Sequence, residues 1–156
     1  MKIKYVMIVA LLFVGNMMFA QESTFTRGHG FLVRPEVYGG LLLNAGYQFN
    51  PYFQMTVGAG VTIDPATVAH AGVRVYTNKG KWAGMIDYHY CIGNYYGTNA
   101  YGTMTSRRFV DHKFVGGASF KDLDFGLGFQ FAVLGNQITY GFVTTVGYNI
   151  RFYKHK

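Results

Sequence analysis

Two imidazoles and the only thiol of the chain, His70, His89 and Cys91, are the side chains best suited to hold zinc or copper. A two- or four-residue loop over Asn78–Lys81 between antiparallel segments would set His70 opposite His89, with Cys91 two residues further along the same face. Three converging ligands could grip one ion; as polar fillers and a small buried thiol, the same three need no metal. A second group, Ser106 with Asp111 and His112, has the residue types of a nucleophile, a base and an orienting carboxylate. In an extended segment Asp111 and His112 point to opposite faces, so the three do not easily converge, and no catalytic residue is assigned. No cofactor is expected.

The charged residues in the body of the chain are better placed to meet. Arg34, Glu36, Arg74, Asp87, Asp111, Lys113, Asp124 and Arg151 are four cations and four anions. Each falls on the small or polar side of a segment in which apolar residues alternate. Gathered in one narrow interior, they would persist by pairing, as a salt-bridge and hydrogen-bond filling rather than an open passage.

The elements that must position them are strands. From Gly30 onward the dominant period is two, and no stretch keeps a helical stripe. Leu123, Phe125, Leu127, Phe129, Phe131 and Val133 alternate with Asp124, Gly126, Gly128, Gln130 and Ala132. Eight such segments span 30–39, 41–49, 53–63, 68–77, 82–92, 109–120, 123–134 and 137–153. Each is about the 9–11 residues that cross a bilayer at a tilt. Only 13% of the residues are charged, so glycine-rich faces turned to water would be too bare for solubility. The expected fold is all-β, an eight-stranded antiparallel transmembrane barrel in meander order, with apolar faces in lipid and small or polar faces inward.

Turn parity supports this assignment, because opposite residues of an antiparallel pair share a face. Gly135-Asn136 pairs Val133 with Ile138, Lys121-Asp122 pairs Phe120 with Leu123, and Asn50-Pro51-Tyr52 pairs Phe49 with Phe53. Pro35 is the misfit. Lacking an amide hydrogen in a barrel without edges, it requires a bulge or an incomplete ladder in the first strand.

The first twenty residues are expected to be a secretory signal: Lys2 and Lys4, an apolar run from Tyr5 to Val14, then a mildly polar stretch to Ala20. Its removal takes the formal net charge from +7 to +5, too small and scattered an excess for a nucleic-acid groove. A single cysteine excludes an internal disulfide. The barrel domain is then 21–156. With the N-terminus inside, the turns at 50–52, 78–81 and 121–122 are periplasmic, and 40, 64–67, 93–108 and 135–136 are external.

The end of the chain carries a motif. Thr145, Gly147, Ile150 and Phe152, within Thr145-Val146-Gly147-Tyr148-Asn149-Ile150-Arg151-Phe152, resemble the C-terminal targeting signal of bacterial outer-membrane proteins. Gly46-Tyr47-Gln48-Phe49-Asn50-Pro51-Tyr52-Phe53 is similar to small outer-membrane barrels of the Bacteroidetes. The resemblance, to the OmpX type or the transmembrane domain of the OmpA type, implies the bacterial outer membrane as location. It also implies outer-membrane lipid, lipopolysaccharide and the barrel-assembly machinery as partners. Biochemical role is a separate question, since the fold hosts lipid enzymes, adhesins and structural anchors. The expected role is structural, or display through the external segment 93–108 and its contact candidates Tyr95, Tyr96, Tyr101, Arg107 and Arg108, with an extracellular ligand as possible partner. A lipid-modifying enzyme or a narrow solute channel is the alternative.

Overall fold

The computed structural model describes residues 27–62, 66–98 and 101–152. The expected signal with its cleavage point, Ser23, Ile63, Asn99 and the last four residues lie outside the described residues. The strands are β1 (Gly30–Val37), β2 (Gly40–Asn50), β3 (Phe53–Thr62), β4 (Ala66–Tyr76), β5 (Trp82–Thr98), β6 (Met104–Phe120), β7 (Leu123–Leu134), β8 (Gln137–Tyr148) and β9 (Ile150–Phe152). β8 and β9 are two halves of one strand, parted at Asn149, so the eight expected strands are present. Each pairs antiparallel with the next in sequence, and β1 also pairs with β8 and β9, closing the ring. Closure gives every strand two neighbours, which is what backbone polar groups require where water cannot reach them.

Alternation decides which side is which. Phe142 is 98% exposed, Leu127 70% and Ile86 68%, all on the outside, whereas Arg34, Gln48, Gln54 and Asp124 on the inside are 0% exposed. A wall apolar without and polar within reverses the pattern of a water-soluble protein and is that of a transmembrane barrel.

Two of the three turn pairings hold, Val133 with Ile138 and Phe120 with Leu123. The third does not. Asn50 pairs with Phe53 across Pro51-Tyr52, and the ladder shifts between Gln48 and Asn50. Phe49 is thus the extra residue of a bulge, held beside Phe53 by ring contact at 5.6 Å between centroids. The register between β4 and β5 also differs from expectation. His70 stands opposite Cys91, and His89 opposite Gly72. The connection after β4 is longer than the assumed loop because Thr77 still pairs, accepting and donating to Gly84.

At Pro35 the ladder is incomplete, as expected. β1 pairs with the last strand at Phe31–Val33 and again at Glu36–Val37, in one register, and omits the positions between. The strand break at Asn149 lies in this gap.

The largest departure concerns 93–108, expected to be a loop. The β5–β6 ladder runs unbroken from Trp82↔Phe120 to Thr98↔Met104. Among the described residues the β4 ladder reaches Tyr95 and the β7 ladder Phe109, and the described residues of the hairpin beyond these pair with one another. Glycines and asparagines suggested a loop there, but Tyr95, Tyr96, Thr98 and Thr105 favour a strand, and a hairpin already in register extends cheaply.

Candidate functional site: the interior polar network

The side chains of the inner face stack in layers along the barrel. In the middle layer Asp124 (β7) accepts from Arg34 (β1), from Arg74 (β4) at 2.8 Å, from Asn149 at 2.9 Å and from the Tyr76 hydroxyl at 3.2 Å. Glu36 accepts from Arg34 through Nη2 at 3.0 Å and Nε at 3.2 Å, a bidentate fork, and from Asn44 at 3.0 Å and Thr145. Arg74 also pairs with Asp87. The side chains of Arg34, Glu36, Arg74, Asp87 and Asp124 are at most 3% exposed, and two guanidiniums stand against three carboxylates. Charges so deprived of water are stable only as a mutually satisfied set.

Above this layer, His89 approaches Asp87 at 2.8 Å, its Nδ1 lies 2.8 Å from Nδ1 of His70, and His70 Nε2 contacts Asn44 Oδ1. The two histidines expected to meet therefore do so, along a diagonal between strands. Cys91 is buried opposite His70, but among the described residues the group whose ligand atoms all lie within 4.8 Å of one another is Glu36, Asp87 and His89. With Arg74 against two of those three, that group is an ion-pair cluster. Further up, Lys113 pairs with Asp111 at 3.2 Å and stands over the Tyr38 ring at 4.1 Å. Asp111 thus faces inward, whereas His112 faces outward, bonded to Tyr88 at 2.9 Å and stacked on Phe131.

At the end nearest Arg27, Arg151 pairs with Asp122 at 2.5 Å. Burial pushes the Asp122 carboxyl above its ordinary value, and Arg151 opposes that shift. Arg27 itself, before the first strand, turns into the barrel mouth. Its guanidinium donates to Ser119 Oγ at 2.8 Å and to the carbonyls of Gly80 at 2.6 Å and Asn78 at 3.1 Å, and lies 4.6 Å from the Tyr76 ring. Sequence reasoning missed Arg27 and Asp122. Asp122 reads as a turn residue, and nothing local marks Arg27, whose guanidinium hydrogen-bond partners are 51 or more positions away.

The C-terminal motif divides between faces. Thr145 and Gly147 point inward, Ile150 is half-buried and Phe152 is exposed outside. A Cβ at Gly147 would collide with the Arg34 guanidinium, so this glycine is the space in which that cation sits. At the far end Tyr95 and Tyr96 lie on β5, Arg107 and Arg108 on β6, and Tyr101 in the turn between them, 93% exposed.

The closed eight-stranded ring, its polar filling and its apolar wall define the fold of the small outer-membrane barrels of OmpA and OmpX type. Among solved structures, the chain is similar to the N-terminal β-barrel domain of Pseudomonas aeruginosa OprF, with a TM-score of 0.54 at 8% identity over 80% of this chain and 99% of that one. It is also similar to Neisserial surface protein A, with a TM-score of 0.48 at 12% identity over 83% of this chain and 98% of that one. No family model and no curated protein matches the sequence.

Proposed function

We propose that this chain is a bacterial outer-membrane barrel whose interior is closed by its own side chains and whose β5–β6 hairpin is displayed outside the cell. The observation that carries the reading is the middle layer, in which Arg34, Arg74, Glu36, Asp87 and Asp124 bridge four strands across the bore. An eight-stranded barrel has an interior just wide enough for side chains. A solute or ion crossing it would have to part several buried ion pairs together, and the protein therefore acts through its surface. The leader-like N-terminus and the C-terminal motif support export to the outer membrane. The projecting hairpin, with Tyr95, Tyr96 and Tyr101, supplies rigid aromatic contact area for an extracellular partner.

Planar-bilayer recording of the refolded protein tests the closed interior. No steady unitary current is expected from the wild type, whereas Arg74→Ala with Asp124→Ala should leak. A large stable conductance in the wild type would overturn the reading. Replacing 99–103 by a two-residue Asn-Gly turn tests display: folding should persist, and adhesion to host cells, glycans or neighbouring bacteria should be lost.

A further inference from the structure

The described acidic side chains, Glu36, Asp87, Asp111, Asp122 and Asp124, are all buried. At the hairpin end, the charges exposed on the described residues are consequently of one sign, Arg107 and Arg108. Neither guanidinium has a polar partner among the described residues. Alternation turns Arg108 outward, and it borders two cavities. One, of about 390 Å³, lies toward β4 and β5 against Thr67, Ala69, Ile92 and Asn94. The other, of about 510 Å³, is shared with Arg107 and the β7–β8 turn at Leu134–Gln137.

The register sorts the outward-facing lining of the first cavity into two rows, the lower of which Val110 continues on β6 beyond the lining itself. Thr67, Asn94 and Arg108 stand side by side across β4, β5 and β6. One step toward the middle of the barrel, Ala69, Ile92 and Val110 form the next outward row. A cationic fork with a hydroxyl and an amide thus sits directly above methyl and methylene surface. A small soluble anion would use the upper row alone. An amphiphile with a negatively charged head uses both, and arginine forks match phosphate oxygens.

We propose that this surface seats a phosphorylated, acylated glycolipid of the outer leaflet. Its phosphate lies on Arg108, head-group oxygens accept from Thr67 and Asn94, and an acyl chain lies along Ala69, Ile92 and Val110. The proposal rests on the barrel standing in the outer membrane with the hairpin outward, and it names the lipid contact of that reading.

The test uses the mature chain folded into phosphatidylcholine vesicles, with diphosphoryl lipid A, its dephosphorylated form, or inorganic phosphate added. Heat-modifiable gel mobility reports folding, and mass spectrometry of the mildly extracted barrel reports retained lipid. Diphosphoryl lipid A should be retained by the wild type and roughly 10-fold more weakly by Arg108→Ala, the loss expected for a charge-assisted bond. The dephosphorylated lipid should be retained weakly by both proteins. Ile92→Asn should fold and retain less of the phosphorylated lipid. Equal retention by wild type and Arg108→Ala would overturn the proposal while leaving the membrane barrel standing. So would inorganic phosphate competing off the lipid at equal concentration, which would mark a plain anion site. Failure of the wild type to enter vesicles would overturn the membrane reading and this proposal with it.

Discussion

Arg34 and Asn149 occupy the gap in the closing seam, and where their strands leave the ladder their side chains approach instead, Arg34 Nη1 standing 3.5 Å from Asn149 Oδ1. Asn149 also donates from its backbone to the Asp122 carbonyl at 2.8 Å and from its amide to Asp124 at 2.9 Å. The seam weakened by Pro35 is thereby fastened to the interior network. Asn149→Ala should lower the free energy of unfolding in urea by about 1–2 kcal/mol, whereas Thr144→Ala on the outer face of the same strand should change it by less than about 0.5 kcal/mol. Equal effects would show that the seam does not depend on this side chain.

Asp124 is the common acceptor of two arginines, so its removal leaves two buried cations short of a counter-charge. Asp124→Ala should destabilise the folded barrel by about 3–5 kcal/mol, read as a lower urea midpoint and a lower temperature for the gel-mobility shift. Asp124→Asn, which keeps the shape and one acceptor, should lose less.

Gly147→Ala should cost about 1–3 kcal/mol by forcing the Arg34 guanidinium from its place. Gly116 is the control, because a Cβ there meets nothing within 4 Å. Gly116→Ala should be neutral or slightly stabilising. If both glycines tolerate alanine equally in vesicle-folding yield, the packing of Arg34 over the backbone is not a constraint.

Outward and inward positions should respond oppositely to charge. Leu127→Arg, on the exposed apolar wall, should cost about 2–4 kcal/mol if it lies near the bilayer midplane. Folding into thin- and thick-chain vesicles would check this, since the penalty should be larger in the thicker bilayer. No difference between the two would mean that this face is not against lipid.

Cys91 gives a probe of the interior without further mutation. At 2% exposure its thiol should resist maleimide in the folded barrel and react fully once the protein is boiled in detergent. Arg27→Ala, which removes the guanidinium from the mouth of the barrel, should leave the folded form equally slow, because the Arg34–Arg74–Asp124 layer still stands between that mouth and Cys91; a faster reaction would show that this layer does not close the bore.

Strand number, facing and two of the turns were legible because each depends on neighbours in sequence: Leu123 to Val133 alternate whatever lies beside them. The β5–β6 extension was not, because Gly93, Asn94 and Gly97 carry loop composition, and only the opposing strand decides whether they pair. The β4–β5 register was misplaced by a loop-length assumption, which moved His70 from Cys91 to His89. The eight interior charges could be placed on one face by parity alone. Which partner each takes could not, since Arg74 reaches Asp87 on the next strand and Asp124 across the bore, and only the closed ring sets the second distance.

Hiding every described carboxylate inside has a consequence for how the molecule presents itself to charged surfaces. An unfolded chain shows anions and cations together, at a modest net excess. Folding withdraws the described anions along with their inner partners and leaves unburied, among the described residues, Lys79, Lys81 and Lys121 at one end and Arg107 and Arg108 at the other. With composition unchanged, the folded barrel should act as the stronger polycation and be held longer on a cation-exchange resin than its own denatured form.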